Sequence, residues 1–205
     1  MPLARPTPAE RKRVRLDTRR RLILEAAAAE FAAVGFERAT LVGIGERVGL
    51  SKASLYHYVE SKEELFVCLV EQVVRNIDAS ATKRAKGSKD PIARLRAFVH
   101  AHIEVALTSA EGKLLAANIE LFASHATATT PKKKHETALR NILRDAVAKG
   151  QLADVPLAPV VKLTFGMLNA VPLWFDPKGA LSAEAVGDLV LAMLLEGLQK
   201  RPTRR

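Results

Sequence analysis

Eight basic side chains crowd the first 21 residues: Arg5, Arg11, Lys12, Arg13, Arg15, Arg19, Arg20 and Arg21, against Glu10 and Asp17 alone. That local excess of six is the larger part of a net charge of +10, with a sequence pI of about 10.0. Cations at this density attract a polyanion, either a nucleic-acid backbone or an anionic membrane surface. Further along, Lys52, Ser54, Tyr56 and His57 place hydrogen-bonding side chains within six residues. A catalyst would need convergent carboxylates, a nucleophile beside its base, or a metal cluster. None is evident: His100 and His102 are two apart, which puts them on opposite faces of a helix rather than at the i, i+4 metal spacing. The lone Cys68 allows no intrachain disulfide, fits a reducing compartment and reads as a small buried hydrophobe. The chain is therefore not expected to be an enzyme, and no cofactor or metal is predicted.

The elements that must position these groups are helices. Hydrophobic residues make up 48% of the 205, mean hydropathy is +0.03, and only seven Phe, two Tyr and one Trp are present while Ala and Leu recur. Good helix formers dominate and strand material is thin, so an all-α fold of one to two domains follows. Residues 1–16, with Pro2, Pro6 and Pro8 among charges, read as a flexible basic arm. From Asp17 on, Ile23, Ala27, Phe31 and Val34 paint one apolar stripe that Gly35 can end in a left-handed turn. Cap chemistry marks later starts at Thr40, at Ser61 with Glu64 three residues on, at Asp90-Pro91, at Thr130-Pro131 and at Ser182. Residues 85–90 and 125–131 read as loops. No signal peptide is apparent, and Pro172, Asp188 and Glu196 interrupt the most apolar stretches, so a cytoplasmic protein with no membrane partner is expected.

Ile44, Val48, Leu50 and Leu55 let two short helices, Leu41 to Val48 and Lys52 to Val59, share a small core across a tight turn. Gly45 allows their close crossing and Gly49 supplies the positive φ of the turn; spacing alone does not account for Gly43. The residues Ile23-Leu24, Glu25-Ala26-Ala27, Glu30-Phe31, Gly35-Phe36-Glu37, Thr40-Leu41, Ile44 and the unbroken run ERVGLSKASLYHYVESKEELF from Glu46 to Phe66 resemble the DNA-binding domain of the TetR family of bacterial regulators. The likeness departs from the usual pattern at Gly45, Ala53 and Val59, where alanine, glycine and phenylalanine are common. It implies a three-helix helix-turn-helix domain over 17–68 and a helical effector-binding and dimerisation domain over 69–205. The second helix of such a motif lies in the major groove, N-terminal residues toward base edges. Lys52, Ala53 and Ser54 are then the base readers, by guanine O6 or N7, a thymine methyl and several edges respectively. The resemblance puts Tyr56, His57, Thr40 and Lys62 at the phosphate backbone, the last two beside helix N-termini; Tyr58 reads as an ordinary core aromatic.

Beyond residue 69 the likeness rests on helical pattern. The segments from Val160 to Phe175 and from Leu189 to Leu195 are apolar nearly all round, more than one intramolecular face requires, which predicts a homodimer. The family pattern makes these two helices a four-helix interface and the operator palindromic. Polar residues on apolar stripes, His102 with Phe98, Asn118 with Phe122, and Asn169 with Phe165, suggest an apolar pocket with polar anchors, with Trp174 as a further lining residue. A satisfied core polar group accounts equally well for each of them singly. The resulting expectation is a repressor of double-stranded DNA released by a small apolar effector, acyl-CoA or lipid-like. A basic architectural or membrane-surface protein would share the charge without needing the turn motif or the dimerising helices.

Overall fold

A computed structural model of the chain describes residues 7–117 and 130–198, in which every regular element is an α-helix. In order these are α1 Pro8–Val34, α2 Leu41–Arg47, α3 Lys52–Tyr56, α4 Lys62–Ala85, α5 Pro91–Thr108, α6 Ala110–Ala117, α7 Thr130–Ala148, α8 Leu157–Trp174 and α9 Ala183–Gly197. The chain divides into two compact units, residues 1–69 and 70–205, and the division falls inside α4.

In the first unit α1 begins at Pro8, well before the expected start at Asp17. Residues 8–16, expected as part of a flexible arm, are thus helical; residues 1–6 lie outside the described residues. The reason is local. Proline at the first helical position forfeits only an amide that has no intrahelical partner, and Ala9 through Arg13 are good helix formers. Gly35, at φ +81°, closes α1 by returning its N–H to the Phe31 carbonyl at 3.0 Å. Ile23, Ala27 and Phe31 bury the predicted stripe. Phe31, Phe36 and Phe66 form an aromatic triangle with centroids 5.1 to 6.4 Å apart, in the tilted and edge-on arrangements that ring quadrupoles favour.

Thr40 and Ser51 cap α2 and α3, accepting from the backbone N–H groups of Gly43 and Ser54, each at 3.1 Å. The turn between the helices is tight: Leu50 N–H returns to the Gly45 carbonyl at 2.9 Å, and a Cβ on Gly45 would lie 2.7 Å from the Leu50 oxygen. Gly49 adopts φ +66°. The helix expected to reach Val59 stops at Tyr56, yet the N–H groups of His57, Tyr58 and Val59 still reach the carbonyls of Ser54 and Leu55. A tightened final turn accounts for the shorter element. At the start of α4, Ser61 accepts from Glu64 N–H at 3.1 Å, while the Glu64 carboxylate reaches back to the N–H of Glu60 at 2.7 Å.

In the second unit α5 is buried almost all round. Leu95, Phe98, Val99 and Ile103 meet Leu139 and Leu143 of α7, Leu168 of α8 and Leu191 of α9. Ala101 and Val105 meet Val73 and Ile77 from the second half of α4. Asp90 caps α5 and also accepts from the Gln151 side chain, both at 2.8 Å. The Gln151 amide, then the Ala93 N–H, hold its carboxyl below the usual carboxylate range. Gly187 of α9 makes room for the buried ring of His100, whose Nε2 lies 3.2 Å from the Asp188 carboxylate. The outward faces of α8 and α9 carry large apolar side chains among their charges: Leu163, Leu173, Leu189 and Met193 are all exposed.

Candidate functional site

Two places gather the chemistry, one in each unit. On the first, Ser51 caps α3 so that Lys52 and Ala53 stand exposed in its first turn, with Tyr56 and His57 exposed at helical spacing behind them. Lys52 Nζ lies 5.9 Å from the Tyr56 ring centroid, a long cation–π contact that lets the lysine reach outward. Ser54 is half-buried, its hydroxyl 3.0 Å from that of Ser51. Thr40 is exposed, and its hydroxyl proton remains free to donate after its oxygen has capped α2. Tyr58 is half-buried and shares a shallow groove with Val14, Leu16 and Leu22 of α1.

Lys62, expected at a phosphate, begins α4 with its ammonium turned inward. Its ammonium donates to the carbonyls of Phe36, Glu37 and Ala39, at 2.9, 3.0 and 3.4 Å, and lies 4.6 Å from the Phe36 ring centroid. All three N–H donors are engaged inside the unit, so Lys62 fastens α4 to the turn after α1. The role of Gly43 also becomes plain: a Cβ there would collide with the Glu30 carboxylate, which is bound to Arg47 Nε at 2.7 Å. That position clears space for an ion pair tying α1 to α2.

The second unit holds a partly open cavity of about 340 Å³. Val70, Val73, Val74 and Ile77 of α4 form one wall; His102, Phe165 and Asn169, all expected there, form others with His135 of α7. Lys132, Glu136 and Lys162 add charge to these polar groups, and the rest of the lining is apolar. Phe98 does not line the cavity but backs it, stacked on His135 at 4.7 Å between centroids. Trp174 is not in the lining: it is 56% exposed, at the end of α8, because the turn that carries it faces outward. Asn118 and Phe122 lie outside the described residues.

Burial, reinforced by the neighbouring His135, pushes His102 down to about 3, against which its hydrogen bond to Asn169 works only partly. The ring is therefore neutral. His135 escaped the sequence reading, although the rule that singled out His102 applies to it: His135 shares a helical stripe with buried Leu139, Ile142 and Ala146. His100 and His102 do face opposite ways, the first to Asp188 and the second to Asn169. Among the described residues no three His, Cys, Asp or Glu side chains converge as a metal site.

Known proteins match along most of the chain. Residues 88–198 match the family described as "Tetracyclin repressor-like, C-terminal domain", and residues 23–68 match "Bacterial regulatory proteins, tetR family". The HTH-type transcriptional repressor KstR2 of Mycolicibacterium smegmatis is 28% identical over 194 residues, covering 88% of this chain and 91% of that protein. Among solved structures, the TetR-family regulator PfmR from Thermus thermophilus is 30% identical, with a TM-score of 0.66 and coverage of 87% of this chain and 99% of that one. AibR in complex with isovaleryl coenzyme A and operator DNA is 26% identical, with a TM-score of 0.70 over 86% of this chain and 98% of that one.

Proposed function

Because the chain belongs to the TetR family of bacterial transcriptional regulators, we propose that it is a repressor that holds a palindromic operator as a homodimer and leaves it when a small, largely apolar effector fills the α4–α8 cavity. In this reading residues 17–68 serve DNA and 69–205 serve effector and partner. Lys52, Ala53 and Ser54 read bases, while Thr40, Tyr56 and His57 hold phosphates.

The observation that carries the reading is α4. Leu65, Phe66 and Leu69 from its first turns are buried in the first unit, and Val70, Val73, Val74 and Ile77 from the next turns line the cavity of the second. One continuous helix thus belongs to both the DNA-binding core and the effector wall, so an occupant that shifts the wall biases the setting of the recognition helix. A coupling of about 1–3 kcal/mol changes operator affinity roughly 5- to 150-fold. The dimer is supported by α8 and α9. By length and composition α8 could cross a membrane, but its residues Val161, Leu168 and Val171 sit in the core of the second unit. Its apolar outward face therefore favours a second copy of the same surface. AibR is found in complex with isovaleryl coenzyme A, which makes acyl-CoA thioesters the first effectors to try.

Selection of bound sequences from random duplex DNA, followed by footprinting, tests the proposal. A palindromic consensus, lost on adding an effector, is expected; enrichment of asymmetric sequences would contradict the dimeric operator. Transcription that falls when the regulator is deleted would overturn the repressor assignment.

A further inference from the structure

His102 and His135 are both buried and both line the cavity, with ring centroids 5.8 Å apart and planes inclined by 25°. Each ring has one nitrogen committed to an oxygen: His102 Nε2 to Asn169 Oδ1 at 3.1 Å, and His135 Nδ1 to Asp78 Oδ1 at 3.0 Å. A neutral imidazole has a single N–H, and an oxygen partner of this kind requires it. The other nitrogen of each ring is then a bare lone pair. Those two atoms, His102 Nδ1 and His135 Nε2, are buried with no hydrogen-bond partner. Their rings are also held in place, since Phe98 stacks on His135 and the Phe165 ring lies 5.3 and 5.8 Å from those of His135 and His102. Buried acceptors without a donor are rare in folded proteins; both rings belong to the cavity lining, so a ligand pressed into that wall is a source of the missing donor.

We propose that the His102–His135 wall selects effectors carrying a hydrogen-bond donor, a hydroxyl or an amide N–H, on an otherwise apolar body. The inference rests on the reading of the cavity as the effector site. A divalent metal is the other partner two lone pairs could take, but among the described residues no third His, Cys, Asp or Glu joins them. A site built to hydrogen-bond a ligand discriminates by presence or absence of the donor more strongly than an apolar pocket discriminates by a methylene.

Titration calorimetry of the full chain at pH 8 tests this with matched probes: 1-octanol against 1-methoxyoctane, and octanamide against N,N-dimethyloctanamide. The donor-bearing member of each pair should bind about tenfold tighter. His102→Phe and His135→Phe should erase that preference while retaining the ether. The comparison on the unaltered chain stands by itself should either variant fail to fold. Equal binding within both pairs overturns the donor requirement, with the lone pairs served by water, and leaves the effector cavity intact. Failure of all four probes to bind overturns the effector cavity itself. Tight binding of Zn²⁺ lost in both variants would assign the nitrogens to a metal and overturn the inference.

Discussion

Two lysines ten residues apart stand in opposite surroundings, and their neighbours set what each is free to touch. Lys52 stands exposed on α3 with only a distant ring beneath it, whereas Lys62 spends its ammonium on three backbone carbonyls. Lys52→Ala should weaken binding to the selected operator by about 1–3 kcal/mol and relax base preference at one position. Lys62→Met should instead lower the unfolding midpoint, by about 1–3 kcal/mol in stability, and leave the slope of log K against log salt unchanged. Salt-dependent anisotropy titrations check both, and a slope shallower by about one in Lys62→Met would return that residue to the phosphate. His102 yields a prediction in pH. Its value of about 3 lies below the ordinary imidazole value of 6.5, so the unfolded chain binds more protons in between. Its contribution is therefore complete above about pH 6.5 and is lost as pH falls toward 3, amounting to about 2 kcal/mol by pH 5. Urea midpoints at pH 7 and pH 5 should fall less for His102→Phe than for the parent, and equal falls would rule this out. At this scale the sequence disclosed exposed donors and missed internal ones, because the carbonyls that hold Lys62 sit some 25 residues away in the chain.

Local rules carried far at the scale of the element. The caps Thr40, Ser61, Asp90 and Ser182 all accept the backbone N–H that their positions imply. The left-handed glycines Gly35 and Gly49 fall where the stripe ends and the turn begins. Two boundaries moved: α1 starts at Pro8, because a proline that reads as a breaker is equally a good first residue, and α3 tightens after Tyr56. Gly43 was opaque for a different reason, since its neighbour Glu30 comes from another helix. Gly45→Ala would normally favour a helix, but here its Cβ meets a backbone oxygen that cannot easily move. It should cost about 1–3 kcal/mol in thermal unfolding and weaken operator binding along with it. A stabilised Gly45→Ala variant would show that the turn yields instead.

For the whole molecule, the all-helical plan was readable from composition and periodicity, while the interior of the second unit was only half readable. His102, Phe165 and Asn169 came from stripe analysis, but Trp174 turned outward and the α4 wall went unnoticed, since Val73 and Ile77 look like any apolar stripe until α5 is set beside them. The exposed α8 and α9 faces lead to a prediction about assembly. Leu189→Glu with Met193→Glu places carboxylates on a surface now 52% and 59% exposed in the single chain, so the fold should tolerate them. Sedimentation should show a monomer for this variant against a dimer for the parent; identical sedimentation would exclude α9 from the interface.

Trp174 missed the cavity, and that displacement gives the protein an optical property. It is the only tryptophan in the chain, it lies at the outward end of α8, and it is absent from the cavity lining. Indole emission is therefore a label-free gauge of whether that face meets water. It should shift to shorter wavelength as protomers associate, and it should stay nearly constant while the cavity of a protein held as a dimer is filled, so that assembly and effector occupancy can be followed as separate signals in the same cuvette.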